Sequence, residues 1–237
     1  MNTSSLEKSI AVFDIQYKNL GMGSQRMYPN ESLIQFTGSR YFNMTMANRK
    51  NIRILEVGCG SGANLWMLSK EGFDTYGIDS SMEAINLALN HLREKWNVDA
   101  DLRVGSFTEI PYEDEYFDAV VDIVSLQHIN LEDTRLALNE VYRVLKPNGN
   151  FFSYRLSDHS VMYDNSGGGR VDVATIDNIT DKAQPLSNNG PVTFWSPVLT
   201  RLMYQKERLN VDAIERVGRT YSNGSYVEYL AISGSKQ

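Results

Sequence analysis

The run Ile54-Leu55-Glu56-Val57-Gly58-Cys59-Gly60-Ser61-Gly62 constrains this chain more than any other feature, because a short apolar stretch leads straight into a glycine-rich turn. Between a strand and a helix, such a turn lets the backbone approach a ligand and leaves free amides pointing outward. From Asn51 to Lys146 the same grammar repeats as apolar run, turn and helix-period segment, the pattern of parallel βα units. The predicted strands are Ile52 to Val57, Asp74 to Asp79, Asp101 to Gly105, Phe117 to Val124 and Asn150 to Arg155. Unbroken Ala119-Val120-Val121 suits a strand covered on both faces.

Helix signals separate these strands. Leu65, Trp66 and Leu68 precede Gly72, which is placed as the residue just past a helix end. Ser80 with Glu83 reads as a capping box ahead of Met82, Ile85, Leu89, Leu92 and Trp96. Asn130 with Asp133 starts a helix through Leu138, Val141 and Leu145, ended by Pro147-Asn148-Gly149. The expected fold is a doubly wound α/β sheet with helices on both faces. Residues 1–48 read as an N-terminal helical cap around Tyr28-Pro29-Asn30, and 49–237 as the main domain. Periodicity lapses over 156–194, which predicts an inserted lid or substrate segment. Ser196-Pro197 then starts a helix to about Arg208, and strands near Val211 to Val217 and Tyr226 to Ser233 meet through Asn223-Gly224 as an antiparallel hairpin.

Composition narrows the function. Length of 237 residues fits one large domain, and 42% hydrophobic with 22% charged residues supports a sizeable core. A net charge of -6 argues against nucleic acid and anionic membrane as partners. Cys59 is the single cysteine, so neither an internal disulfide nor a multi-thiolate zinc site is expected, and no metal is assigned. Glu7, Lys8, Asp14, Gln16 and Lys18 interrupt any signal-peptide core, and no run approaches the roughly 18–20 apolar residues of a membrane span. The expectation is a soluble cytoplasmic protein, monomer or homodimer.

Asp79 ends the second strand, where a carboxylate can accept hydrogen bonds from a ribose diol. Gly58, Gly60 and Ala63 also satisfy a dinucleotide fingerprint. Glu56, just before the glycines, would repel a pyrophosphate and suits a ligand with an ammonium and a sulfonium. The block Tyr142-Arg143-Val144-Leu145-Lys146-Pro147-Asn148-Gly149 and the closing hairpin point the same way. With these motifs, from about Ile52 to Phe152, the chain resembles the class I S-adenosylmethionine-dependent methyltransferases, particularly their small-molecule group. The resemblance implies a seven-stranded sheet of order 3-2-1-4-5-7-6 with strand 7 antiparallel. It also implies S-adenosyl-L-methionine as cofactor, S-adenosyl-L-homocysteine as product, and methyl transfer to an oxygen or nitrogen of a small metabolite. A sugar or nucleotide-sugar acceptor would match the polar 156–194 segment. Implied cofactor contacts are Glu56 near the methionine amino group, the Gly58-Cys59-Gly60 backbone along methionine and ribose, and Asp79 on the ribose diol. Ser80 would lie beside the adenosine, Ser106 and Phe107 at the adenine edge and face, and Asp122 beside the methionine portion. Two departures stand out: Ser106 where the family often has Asp, and Leu126-Gln127-His128 where many relatives read Leu-His-His.

Methyl transfer from a sulfonium is an in-line displacement in which alignment supplies much of the acceleration. For a hydroxyl acceptor His128 is the candidate general base, the alternative being an imidazole packed under a loop against a backbone carbonyl. Tyr154, Arg155 and His159 follow strand five and are candidate substrate-binding residues, although Arg155 suits an internal ion pair equally. His91, one position off its helix stripe, reads as a solvated imidazole. Two other functions stay open: a non-catalytic S-adenosylmethionine-binding regulator and a nicotinamide-dependent dehydrogenase, against which Glu56 stands.

Overall fold

The computed structural model describes residues 4–237, and its strands grow from the apolar runs. They are β1 (Arg53–Val57), β2 (Asp74–Asp79), β3 (Asp101–Val104), β4 (Phe117–Ile123), β5 (Leu145–Leu156), β6 (Thr175–Ile176), β7 (Val192–Thr193), β8 (Leu209–Thr220) and β9 (Tyr226–Lys236). Seven of them form one sheet in the order β3-β2-β1-β4-β5-β9-β8, while β6 and β7 make a separate antiparallel ribbon. Within the large sheet β9 runs antiparallel to both its neighbours. This is the expected topology. Strand five differs in its start: Leu145 already pairs with Phe117, and Pro147 to Gly149 form an irregularity in the register instead of a loop.

The helices are α1 (Ser5–Leu20), α2 (Glu31–Tyr41), α3 (Met46–Arg49), α4 (Leu65–Lys70), α5 (Met82–Asn90), α6 (Leu131–Val144) and α7 (Pro197–Lys206). Ser4, Asn30, Asn130 and Ser196 each accept a hydrogen bond from an otherwise unpaired amide of the first turn. In α5 that role falls to Ser81, not Ser80 as expected, because the Asp79 carboxylate takes the Ser81 amide and delays the turn by one residue. After Asn90 the helix widens into a π-helical turn, His91–Trp96. Among the described residues no helix is long and apolar enough to cross a membrane.

Side-chain alternation along the strands feeds two cores. On one face Leu55, Val57 and Val120 meet Leu138 and Val141 of α6 and Tyr204 of α7. Opposite, Ile54, Ala119, Val121 and Ile123 meet Leu33 and Phe36 of α2, Leu65 and Leu68 of α4, and Ile85 of α5. The 156–194 segment has a cluster of its own, in which Met162, Ile176, Ile179, Val192 and Phe194 pack with Leu156 and Val227. It is a packed segment seated on the ends of β5 and β9. Two polar contacts tie it to the N-terminal helix: Gln16 Nε2 donates to Asn189 Oδ1 at 2.9 Å, and Lys8 pairs with Asp177 at 2.7 Å.

Candidate active site

A cleft of about 250 Å³ opens at the carboxyl ends of β1, β2 and β4. The glycine turn forms its floor. Gly58 and Gly60 have φ of 65° and 52°, in the left-handed region that glycine tolerates best. A Cβ on Gly60 would sit 2.9 Å from the Tyr17 hydroxyl, so the missing side chain is what lets α1 close down on the turn. From the end of β2, Asp79 accepts the Gly60 amide at 2.9 Å and the Ser81 amide at 3.0 Å. Burial raises its carboxyl above the usual range, with no cation bonded to it.

Glu56 is buried at the end of β1, 2% exposed, and this exposure decides its chemistry. Asn64 donates to Oε1, whereas Oε2 is enclosed without any partner. Desolvation pushes its pKa up to about 8, against the opposing Asn64 hydrogen bond and the nearby Arg26. A buried acceptor lacking a donor is costly to leave unmade, and a ligand ammonium would satisfy it.

Helix α1 roofs the cleft. Leu6, Ser9, Ile10, Phe13, Gln16 and Tyr17 recur at helical spacing and all line it. At the end away from Asp79 the wall is made by Ser125, Gln127 and His128 after β4, together with Leu186 and Asn189. Phe13 meets the His128 ring edge-on at 4.7 Å. His128 Nδ1 lies 3.1 Å from the Pro191 carbonyl oxygen, and Gln127 Nε2 lies 3.2 Å from His128 Nε2. Gln127 Oε1 in turn accepts the Leu156 amide at 3.1 Å, so its NH2 faces the imidazole. The consistent assignment is a neutral ring that donates from Nδ1 and accepts at Nε2. Burial holds its pKa down, at about 4, despite the Pro191 carbonyl.

Of the residues expected to hold cofactor, Glu56, Gly58, Cys59, Gly60, Asp79, Ser80 and Phe107 all line this cleft. Burial pushes the Cys59 thiol up, which leaves it a turn residue. Ser106 and Asp122 do not line the wall. Ser106 is turned into its own loop, 2.7 Å from the Thr108 hydroxyl. Asp122 shares the strand face of Val57 and Val120, away from Glu56, and its carboxylate is fully engaged by Ser125, Leu126, Ser153 and Arg155. The substrate-binding expectation fails for three residues. Arg155 is wholly buried in the ion pair with Asp122, Tyr154 stacks on Tyr229 one layer behind the cleft, and His159 is exposed outside it. The general-base role expected of His128 meets an Nε2 lone pair already filled by Gln127. His91 is not solvated either: the π-turn buries it, Nδ1 lies 2.9 Å from the Ser61 carbonyl, and Trp96 donates to Nε2.

Sequence reasoning missed Gln25, Arg26, Asn64 and, within the α1 stripe, Leu6, Ser9, Ile10, Phe13 and Gln16. Arg26, the cation among the described cleft residues, comes from the patternless stretch before α2, where only its charge beside Glu56 would have marked it. These residues fit S-adenosylmethionine: an unpartnered buried carboxylate oxygen for the ammonium, an arginine for the carboxylate, Asp79 for the ribose and Phe107 for the adenine.

Comparison with known proteins agrees. Residues 55–153 match the family model for a methyltransferase domain. The ubiquinone biosynthesis O-methyltransferase of Bartonella tribocorum is 28% identical over 102 residues, 43% of this chain and 40% of that protein. The chain spans less than half the length of curated relatives it matches, 40% to 47% in three of them. A structure of a SAM-dependent methyltransferase from Methanosarcina mazei superposes with a TM-score of 0.67 at 21% identity, covering 78% of this chain and 92% of that one. The Burkholderia thailandensis 1,6-didemethyltoxoflavin-N1-methyltransferase, solved with bound 1,6-didemethyltoxoflavin and S-adenosylhomocysteine, gives a TM-score of 0.63 at 16% identity over 100% of this chain and 92% of its own. At such identities the two structures establish a common fold. Strand order, matched region and the chemistry of the glycine turn converge: residues 55–153 match a methyltransferase domain, and the chain has the fold of S-adenosylmethionine-dependent methyltransferases.

Proposed function

We propose that the chain moves a methyl group from S-adenosylmethionine to an oxygen or nitrogen of a small, uncharged acceptor bound between α1 and the His128 turn. One observation carries this reading: charge in the cleft is segregated. Arg26, Glu56 and Asp79 surround the glycine turn, whereas Leu6, Ile10, Phe13, Gln127, His128, Leu186 and Asn189 bring no formal charge, His128 being neutral. A nucleotide-sugar diphosphate would be desolvated there without a counter-ion, which is strongly unfavourable. That narrows the acceptor to neutral molecules with an apolar body, and a sugar without phosphate remains within the class.

Bound S-adenosylmethionine supplies an electrophilic methyl group on a sulfonium whose thioether leaves readily. The chain's own part is alignment and exclusion of water. Glu56 Oε2 takes the ammonium, Arg26 the carboxylate and Asp79 the ribose hydroxyls, which fixes the direction in which the methyl group points. Phe13 and Ile10 cover the acceptor from α1, while the amides of Gln127 and Asn189 offer orienting hydrogen bonds. With its Nε2 lone pair occupied, His128 acts as a wall; the acceptor contributes its own lone pair for in-line attack, the S–CH3 bond breaks to leave the neutral thioether, and the acceptor's O–H or N–H proton passes to bulk water.

Calorimetric titration with S-adenosylmethionine, S-adenosylhomocysteine and NAD tests the cofactor. The adenosyl compounds should bind and NAD should not, and Asp79→Ala should weaken binding at least 100-fold in a folded protein. Tight NAD binding without uptake of either adenosyl compound would refute the reading. Radiolabelled methyl transfer to neutral phenols and amines, compared with their carboxylated counterparts, then tests the acceptor class: preference for the carboxylated series counts against it.

A further inference from the structure

Val124 leaves β4 in the left-handed region, with φ of 60°. For a β-branched residue this conformation is a true outlier, and it persists only where the surroundings over-determine it. The surroundings are unusually complete. Val124 donates its amide to the Tyr154 carbonyl at 2.9 Å. The next two amides, Ser125 and Leu126, both donate to Asp122 Oδ1 at 3.0 Å. Asp122 Oδ2 accepts from the Ser153 hydroxyl at 2.6 Å and from Arg155 Nε at 3.2 Å. Ser125 donates its hydroxyl to the Gly58 carbonyl at 2.8 Å, which pins the turn to the glycine loop. Directly beyond lie Gln127 and His128, joined to each other, to the Leu156 amide and to the Pro191 carbonyl.

The Asp122–Arg155 pair is a poor device for stability alone. Both groups are buried, and the desolvation of such pairs offsets most of their attraction. Both terminal guanidinium nitrogens lack hydrogen-bond partners, and the group lies over the Trp195 ring, 4.6 Å from its centroid. What the pair does hold is geometry, because one carboxylate links β4, β5 and the first two amides of the strained turn.

We propose that Asp122, backed by Arg155, is a positioning clamp that keeps the strained Val124 turn in place and so fixes the orientation and tautomer of His128 at the acceptor end of the cleft. The clamp touches neither cofactor nor acceptor, and its functional meaning rests on the acceptor assignment above.

Side-chain 15N NMR of the histidines tests it without any acceptor. His128 is one of three histidines and is assigned by His128→Gln. In the unaltered protein it should show the signature of a single Nδ1–H tautomer from pH 5.5 to 8. Asp122→Ala/Arg155→Met removes the clamp without stranding a buried charge; the His128 signals should move toward a tautomer mixture that titrates. Adding Val124→Gly, which relieves the left-handed strain, should restore the single-tautomer signature. S-adenosylhomocysteine should still bind each variant, because Glu56, Arg26 and Asp79 are retained, and its binding checks that the variant is folded. If the double variant does not fold, Asp122→Asn, which sets a donor against Arg155 Nε, gives the same readout. An unchanged single tautomer in a folded clamp variant overturns the proposal, as does failure of Val124→Gly to restore it. Failure of the unaltered protein to bind adenosyl compounds would sink the cofactor reading and leave this result legible.

Discussion

Glu56 joins structure to pH most directly. Its carboxyl, pushed up to about 8, is mostly protonated at neutral pH in the free protein. In the unfolded chain it ionises near the ordinary value of about 4.5, so between these two values the folded state holds the extra proton. The Glu56 contribution to stability therefore falls as pH rises from about 4.5 to 8; His128, held at about 4, offsets it up to about 6.5, so the net fall appears between about 6.5 and 8. Glu56→Gln should flatten this slope and make the free protein more stable at pH 8. An ammonium-bearing ligand reverses the preference by favouring the carboxylate. Binding of S-adenosylhomocysteine at pH 7 should thus release protons from Glu56, measured as a buffer-dependent enthalpy in calorimetry. The Gln variant should lose that release and at least tenfold in affinity, and equal proton release in both proteins would contradict the role. Glu56 and Asp79 were legible in the sequence because a parallel strand running into a glycine turn fixes where its last residues emerge. Asp122 was misplaced, and for Arg155 the internal ion pair prevailed over the substrate role, because their pairing depends on how β4 and β5 align and on which strand face each occupies. His91 was misread because a π-turn shifts every later residue around the helix axis.

At the scale of elements, glycines separate turns that must be bare from turns that merely are. A Cβ at Gly58 would fall 2.3 Å from the Ser125 hydroxyl oxygen, on a residue already left-handed. Gly58→Ala should lower stability by about 2–4 kcal/mol in chemical denaturation, the range of overpacking added to backbone strain. Gly169 has nothing within 4 Å of its would-be Cβ, so Gly169→Ala should change stability by less than about 0.5 kcal/mol. Comparable losses at both positions would show that the close approach at Gly58 is not real. The large-sheet strands and capped helices were readable because alternation, glycines and cap residues coincide there. The ribbon of β6 and β7 was not, because two-residue strands carry no periodicity. The internal packing of the 156–194 segment, expected as a lid or substrate insertion, was not legible for a related reason: Met162, Ile176, Ile179, Val192 and Phe194 are too scattered in sequence to announce a cluster.

For the whole molecule, cofactor and fold are linked by mass action. A ligand present at 100 times its dissociation constant adds about 2.7 kcal/mol to stability. For a domain near this size each kcal/mol raises the melting temperature by roughly 2–4 °C, so S-adenosylhomocysteine should raise it by about 5–11 °C. A null shift at saturating ligand would be incompatible with the cleft described. Hydrogen exchange should slow together in α1 and around Asn189, since Gln16 and Lys8 join the helix to the 156–194 segment across the cleft mouth. The chamber thus has two origins: its floor comes from residues 55–153, and much of its roof and far wall from residues 6–17 and 186–191. Selectivity can consequently drift while the chemistry stays put, and exchanging those two outer segments between relatives should carry the choice of acceptor with them.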